Sequence, residues 1–227
     1  ATALGNHEFD WGVDTLKARM RQAHFAILGA NVRYDDGRDV EWIRDDTIVE
    51  RGGVRIGIVG IATTVTPSTT MASNVRGLRF DDPAPVVDAH ARSLRARGAE
   101  LVVVVAHEGA FCNASTGCEG RIVEMASRLT EGVDAIVAGH THVLVNTVVK
   151  GIPIVEARAS GRAVAVVDLP LDRTARAGAP RELRVVNTDS VTADPRIDSL
   201  ARAATNAVSE RVARRIATVG DAMLRRG

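Results

Sequence analysis

The sequence predicts an α/β protein built as a two-sheet sandwich. Strand-like apolar runs alternate with helix-like segments over the first two thirds of the chain. Four strand-like runs then follow one another between residues 143 and 187. Alternation alone would give a doubly wound sheet; a closing run of strands needs a second sheet to bury against. The length, 227 residues, suits one large domain or a domain with a tail. With 45% hydrophobic and 25% charged residues, the chain has the apolar mass for a real core.

The elements are read in order. After Gly12, residues 13–23 form a short helix with Val13, Leu16 and Met20 on one face. Residues 25–32 are an apolar run ending near Asn31, a buried strand. Residues 47–51 and 55–62 flank Gly52-Gly53, the signature of a two-residue hairpin turn. A polar, threonine-rich loop follows through Pro67. Pro83 and Pro85 open a helix that Gly98 stops near residue 97. Leu101–Ala106 is a valine-rich run of the kind buried on both faces of a sheet. A cysteine-bearing loop, a helix over 119–129 and a short buried strand over 134–138 come next. Residues 143–149, 152–155, 163–169 and Leu183–Asn187 are the run of strands. Asp194 or Pro195 starts a last helix to about residue 216, with Ile197, Leu200, Ala204, Val208, Val212 and Ile216 at helical spacing. No repeat or low-complexity segment interrupts the pattern.

Composition excludes some functions. A formal net charge of +1 gives no argument for binding nucleic acid or a membrane surface. The longest purely apolar run, Leu101–Ala106, is far short of the roughly 20 residues of a membrane span. No signal-peptide pattern stands at the start, which says nothing about export where a chain's true start is missing. Aromatic residues make up 3%, few for a site that sandwiches a nucleobase. Cys112 and Cys118 bracket Asn-Ala-Ser-Thr-Gly, a flexible loop in which a small disulfide, two free thiols or metal ligation are all open. A disulfide there would favour an oxidising compartment.

Chemistry concentrates at four places, each beside a loop or a strand end: Asn6-His7 with Asp10, then His107, His140 and His142. Catalytic groups of α/β folds gather at strand ends. In an extended segment residues two apart share a side, so His140 and His142 are expected to face one pocket, with Gly139 allowing a sharp approach. Imidazoles, an amide oxygen and carboxylates are the donor mix of zinc, manganese or iron. His7 and Asp10, three apart, meet if the chain coils after Asn6. A carboxylate on an imidazole fixes its tautomer and favours its protonated form, which suits a general acid or transition-state stabiliser rather than a ligand. A lone strand-end histidine such as His107 is ordinarily structural or exposed. The ordered set of three is what argues for a site.

The strings Gly5-Asn6-His7-Glu8, Ala106-His107-Glu108-Gly109 and Gly139-His140-Thr141-His142, in that order, resemble the calcineurin-like metallophosphoesterases. Gly5 to Gly12, GNHEFDWG, is similar to the 5′-nucleotidase branch, with its UDP-sugar hydrolases and 2′,3′-cyclic phosphodiesterases. The likeness covers nearly the whole chain. It implies an αββα sandwich, with Asn6, His107 and His140 as ligands of the second of two divalent ions and His142 as a ligand of the first. The ions would be zinc, manganese, magnesium, calcium or iron. The catalytic His–Asp dyad falls on His7 and Asp10. The implied reaction is two-metal hydrolysis of a phosphoric ester, the substrate a small-molecule nucleotide or nucleotide sugar, and the location periplasmic, secreted or cell-surface.

Two departures qualify that expectation. The family's Asp-x-His and Gly-Asp motifs, upstream of GNHE, have no counterpart here. Asp88-Ala89-His90 is a decoy, because residues two apart inside the expected helix over 83–97 point apart. The chain also stops in what resembles the linker to the family's nucleotide-binding domain. The expectation is therefore a fragment: residues 1–190 a partial catalytic domain lacking its first strands, residues 191–227 a helical linker, with its own missing N- and C-terminal segments as partners. Such a fragment would hold one ion weakly, turn over little substrate and expose an unpaired sheet edge. A thiosulfohydrolase-type enzyme on the same scaffold, or a catalytically inactive scaffold module, are the competing readings.

Overall fold

The computed structural model describes residues 1–171 and 191–217, and the backbone of Leu183–Asn187. The chain divides into two units, Ala1–Thr188 and Asp189–Gly227. The boundary expected between residues 190 and 191, and the tail over 218–227, lie outside the described residues.

The first unit opens with β1 (Thr2–Ala3), α1 (Val13–Met20), β2 (Ile27–Leu28) and β3 (Val32–Tyr34). A hairpin follows, β4 (Asp46–Arg51) and β5 (Val54–Ile61), then a single helical turn, α2 (Thr66–Thr69), and β6 (Leu78–Phe80). Next come α3 (Pro83–Ala96), β7 (Leu101–Ala106), the short pair β8 (Phe111–Asn113) and β9 (Gly117–Glu119), and α4 (Arg121–Arg128). The strands β10 (Ala135–Val137), β11 (Leu144–Val149), β12 (Ile152–Ala157), β13 (Ala163–Val167) and β14 (Leu183–Asn187) complete it.

One six-stranded sheet, in the order β11-β12-β10-β7-β5-β4, is the scaffold. Its four inner strands are parallel, and β4 and β11 close the edges as antiparallel hairpin partners. Gly52 and Gly53, with φ of 58° and 80°, make the two-residue turn between β4 and β5. Asp82 caps α3 by accepting from Ala84 N, with Pro83 at the first helical position. The buried stripe Val87, Ala91 and Leu94 of α3, with Ile122, Met125 and Ala126 of α4, packs in one cluster with Val59, Ile61, Val102, Val104, Ile136 and Ile154 of the sheet. Those side chains are at most 2% exposed, so this is where the hydrophobic stabilisation concentrates.

A second cluster of Leu4, Phe9, Leu16, Val32, Val40, Ile43, Ala62, Val75 and Leu78 gathers the short N-terminal elements. Gly60 lets them reach the sheet: a Cβ there would lie 2.2 Å from Leu28 Cβ, and its carbonyl accepts from Ala30 N at 2.7 Å. The second sheet expected of a sandwich is present as separate pairs, β1–β2, β3–β6 and β13–β14.

Several expected elements change. The single strand over 25–32 is two, broken where Val32 N turns back to Gly29 O. Asn31, fully buried, explains the break: its amide donates to Ala62 O and Asp81 O and accepts from Ala62 N, bonds that a ladder position would forfeit. The cysteine loop is a hairpin, with Cys112 and Cys118 directly opposite in register and joined as a disulfide.

The second unit contains α5 (Pro195–Val212), capped by Asp194 accepting from the N–H groups of Arg196 and Ile197. It ends before Ile216, short of the expected boundary.

Candidate functional site

The candidate residues cluster at the C-terminal ends of parallel strands. His107 directly follows β7, its N–H bonded to the carbonyl of Ile61, the last residue of β5. The loop 139–142 follows β10. Asn6 lies on the short segment after β1, 3% exposed. Its Nδ2 donates to Thr69 O at 3.3 Å, which leaves Oδ1 facing His107 Nε2 at 3.0 Å. Gly5 makes this approach feasible, since a Cβ would sit 2.7 Å from both the His107 ring and the Glu8 carboxylate. That carboxylate accepts from Gly5 N at 2.6 Å and secures the turn.

The His140 ring stacks obliquely on His107, with centroids 4.9 Å apart and planes at 59°. Burial, then the charge of His140, His7 and His142, lowers the His107 pKa to about 4. His107 is therefore neutral near pH 7, the form that donates a lone pair to an ion.

His7 and Asp10 meet as the sequence reading expected. The chain coils into a 3-10 turn over His7–Phe9, and His7 Nδ1 lies 2.7 Å from Asp10 Oδ2. The His7 side chain is 70% exposed, so the pair sits open beside the buried Asn6. Two residues that sequence reasoning missed hold it. Thr70 donates to Asp10 Oδ1 at 2.9 Å, and the Asn74 amide donates to the carbonyls of Phe9 and Asp10 at 3.0 and 2.9 Å. The hydrogen bond with His7, then that of Thr70, holds the Asp10 carboxyl below its usual range. Their signal in the sequence was a loop of threonines and asparagines, too common to single out.

The histidines of the loop 139–142 are not arranged as alternation predicts. His140 has φ 81° and His142 φ 60°, both left-handed, so the rule for extended chain does not apply. His140 lines a cavity of about 400 Å³ with Val65, Glu108, Phe111 and Arg121. His142 lines another, of about 280 Å³, with Arg158, Ser160 and Arg162. Asp88 and His90, the decoy pair, are tied elsewhere: Asp88 accepts from Thr130 and Glu131, and His90 Nδ1 lies 2.7 Å from Asp46 Oδ2.

Asn6 Oδ1 and the imidazoles of His107 and His140 form a donor set that fits a borderline divalent cation. Among the described residues no group of three or more His, Cys, Asp or Glu side chains could hold an ion. His142 lines a different cavity but is near enough to act electrostatically on His107.

The chain is similar to several known proteins. A family described as bacterial capsule synthesis protein PGA_cap matches residues 2–155. Endonuclease YhcR of Bacillus subtilis is 26% identical over 210 residues, covering 87% of this chain and 17% of that protein. The trifunctional nucleotide phosphoesterase YfkN of the same organism is 29% identical over 198 residues, covering 76% and 13%. Its calcineurin-like phosphoesterase crystal structure superposes with a TM-score of 0.77 at 24% identity, covering 93% of this chain and 71% of that one. The 5′-nucleotidase precursor of Thermus thermophilus gives 0.76 at 24% identity, covering 95% and 44%. This chain thus spans less than a fifth of the length of the two sequence relatives. It belongs to the PGA_cap family and, by its motifs and these relatives, to the calcineurin-like metallophosphoesterases of the 5′-nucleotidase branch.

Proposed function

We propose that this chain is the ion-binding part of a metal-dependent phosphoric ester hydrolase acting on nucleotides. The observation that carries the reading is the 3.0 Å approach of Asn6 Oδ1 to His107, beside the His140 ring and the His7–Asp10 pair. The activity in the name of a sequence relative, the nucleotide phosphoesterase YfkN, supports the substrate class.

Asn6, His107 and His140 would hold one divalent ion; His142 is the one candidate for a second. Such ions, when bound, supply Lewis acidity toward phosphoryl oxygens and lower the pKa of water to about 7. His7, exposed and oriented through Nδ1 by Asp10, presents Nε2 to the substrate. Protonated, it neutralises charge growing on the phosphoryl oxygens or gives its proton to the leaving alkoxide, a contribution of about 10²–10⁴ for a positioned acid. Thr70 and Asn74 keep Asp10 in place for that task. With donors for one ion and one residue toward another, low turnover is the expectation. The disulfide supports an oxidising, extracytoplasmic setting. Among the described residues no helix is long and apolar enough to cross a membrane.

Calorimetric titration of the 227-residue chain with Mn²⁺ or Co²⁺ tests the reading, alongside phosphate release from a nucleoside monophosphate. One bound ion is expected, with affinity lost in Asn6→Ala, His107→Ala and His140→Ala and kept in His24→Ala. Unchanged affinity in the His107→Ala/His140→Ala double variant would end the proposal.

A further inference from the structure

The strand β12 reads Ile-Pro-Ile-Val-Glu-Ala, and its one charged residue, Glu156, is 1% exposed. A carboxylate in a buried apolar strand is costly unless it is used. Its Oε2 accepts a hydrogen bond from Thr141 Oγ1 at 2.6 Å, while its Oε1 has no hydrogen-bond partner among the described residues. Thr141 lies between His140 and His142. Its hydroxyl is also within 3.1 Å of the carbonyl of Ala110, on the loop that carries His107.

The two histidine loops are drawn together at this point. Gly139 N donates to Glu108 O at 3.2 Å. Gly109 is packed so tightly beneath Thr141 that a Cβ would lie 2.3 Å from its hydroxyl and 2.5 Å from the carbonyl of Gly139. On either side of Thr141 the chain is held at φ 81° and 60°, a left-handed conformation that residues with a Cβ disfavour. A contact that over-determines the loop must hold it there. The Thr141 hydroxyl, fixed from below by Glu156 and from the side by Ala110, is that contact.

We propose that Glu156 is a positioning residue. Through Thr141 it locks the loop 139–142 so that the His140 ring lies against His107, and it sets the direction in which His142 leaves the loop. The inference rests on the ion-binding reading above, in which His140 and His107 share an ion. It adds a buried pair that touches no ion and determines how well the imidazoles are placed.

The test uses the 227-residue chain, with Co²⁺ as the probe and its visible absorption as the report of ligand geometry. Glu156→Leu and Thr141→Val are expected to weaken Co²⁺ binding by about tenfold or more and to change the spectrum. Glu156→Gln and Thr141→Ser, which keep the hydrogen bond, stay within about threefold of the parent, inside the effect of losing an outer-shell partner. Leucine removes the acceptor of the Thr141 hydroxyl at 2.6 Å, so Glu156→Leu is read at a temperature where its melt shows it folded. A changed Co²⁺ spectrum in that folded variant, restored in Glu156→Gln, is the signature that a purely structural role would not produce. Should Thr141→Val fail to fold, Glu156→Leu against Glu156→Gln decides. Parent-like Co²⁺ affinity and spectrum in Glu156→Leu overturn the inference, as does a Thr141→Ser variant as impaired as Thr141→Val.

If the parent chain binds no Co²⁺, the ion-binding reading fails. The positioning claim is then judged on the His140 and His142 ring resonances in the NMR spectrum of the metal-free chain. Shifts in Thr141→Val and Glu156→Leu but not in Thr141→Ser support it; unshifted resonances overturn it.

Discussion

The two loops that build the candidate site are held by opposite means. The turn from Gly5 to Asp10 keeps right-handed backbone at both ends, with φ of −67° at Asn6 and −57° at Asp10. Side chains reaching in from the segment after α2, Thr70 and Asn74, fasten it, and its histidine is open to solvent. The loop 139–142 has left-handed backbone at both histidines and is fastened from the protein interior, through Thr141 to Glu156. The first loop adopts a conformation any chain prefers and is steered by exposed hydrogen bonds. The second occupies a conformation its residues disfavour and is pinned by packing. An exposed group that must exchange protons suits the first arrangement, and a ligand that must not wander suits the second.

The contrast is broken most severely at Gly109. An added methyl meets the backbone carbonyl of Gly139 as well as the Thr141 side chain, and backbone cannot step aside cheaply. Gly109→Ala is expected to cost about 1–3 kcal/mol, the range for overpacking, read as a lower midpoint in denaturant or thermal melts. Gly5→Ala, whose methyl would have side-chain atoms of Glu8 and His107 as its three nearest neighbours, costs less.

Substituting each loop's histidine by glycine should give opposite signs. His142→Gly relieves a left-handed residue and stabilises the chain by up to about 1 kcal/mol. His7→Gly loosens an ordinary helical turn and destabilises it by about 0.5–1 kcal/mol. Equal signs in paired melts would show that the two backbones are not held as differently as their φ angles state.

Asn74→Ala removes the two bonds to the carbonyls of Phe9 and Asp10, about 1 kcal/mol in the same melts, since the Phe9 carbonyl keeps its bond from Gly12 N. The smallest change is Thr70→Val. Asp10 loses its second hydrogen bond, so its carboxyl, held below the usual range first by His7 and then by Thr70, moves up. The sign follows: the His7–Asp10 contact is intact above that pKa and weakens as pH falls through it, and Thr70→Val brings the loss to higher pH. Carbon-detected NMR titration of Asp10 reads the shift, with a larger rise in His7→Ala. A Thr70→Val titration unmoved from the parent would separate Thr70 from the pair.

Legibility in the sequence followed the range of the interaction. Leu101–Ala106 was readable as a strand because six apolar residues in a row leave no other burial pattern. The Gly52-Gly53 hairpin and the Asp82-Pro83 helix start were readable because turn and cap chemistry are local. The His7–Asp10 pair was readable for the same reason, being a three-residue contact inside one turn. Leu78–Phe80 was not, since three residues carry too little periodicity and its partner, Val32–Tyr34, lies far back in the chain. Nor was Asn31, whose three buried hydrogen bonds reach across to Ala62 and Asp81. Glu156 did carry a trace, a lone charge in an apolar strand, but its use was invisible until Thr141 stood over it.

By itself, then, the sequence determined the kinds of element, the strand-end placement of Asn6, His107 and His140, and the His7–Asp10 turn, because periodicity, capping and short-range hydrogen bonds act within a few residues. Only the tertiary structure decided that Asn6 Oδ1 meets His107, that His140 and His142 are left-handed and line separate cavities, and that a buried carboxylate lies beneath them. Those outcomes are set by close packing between segments as much as a hundred residues apart, where the available space selects the backbone conformation and local preference does not.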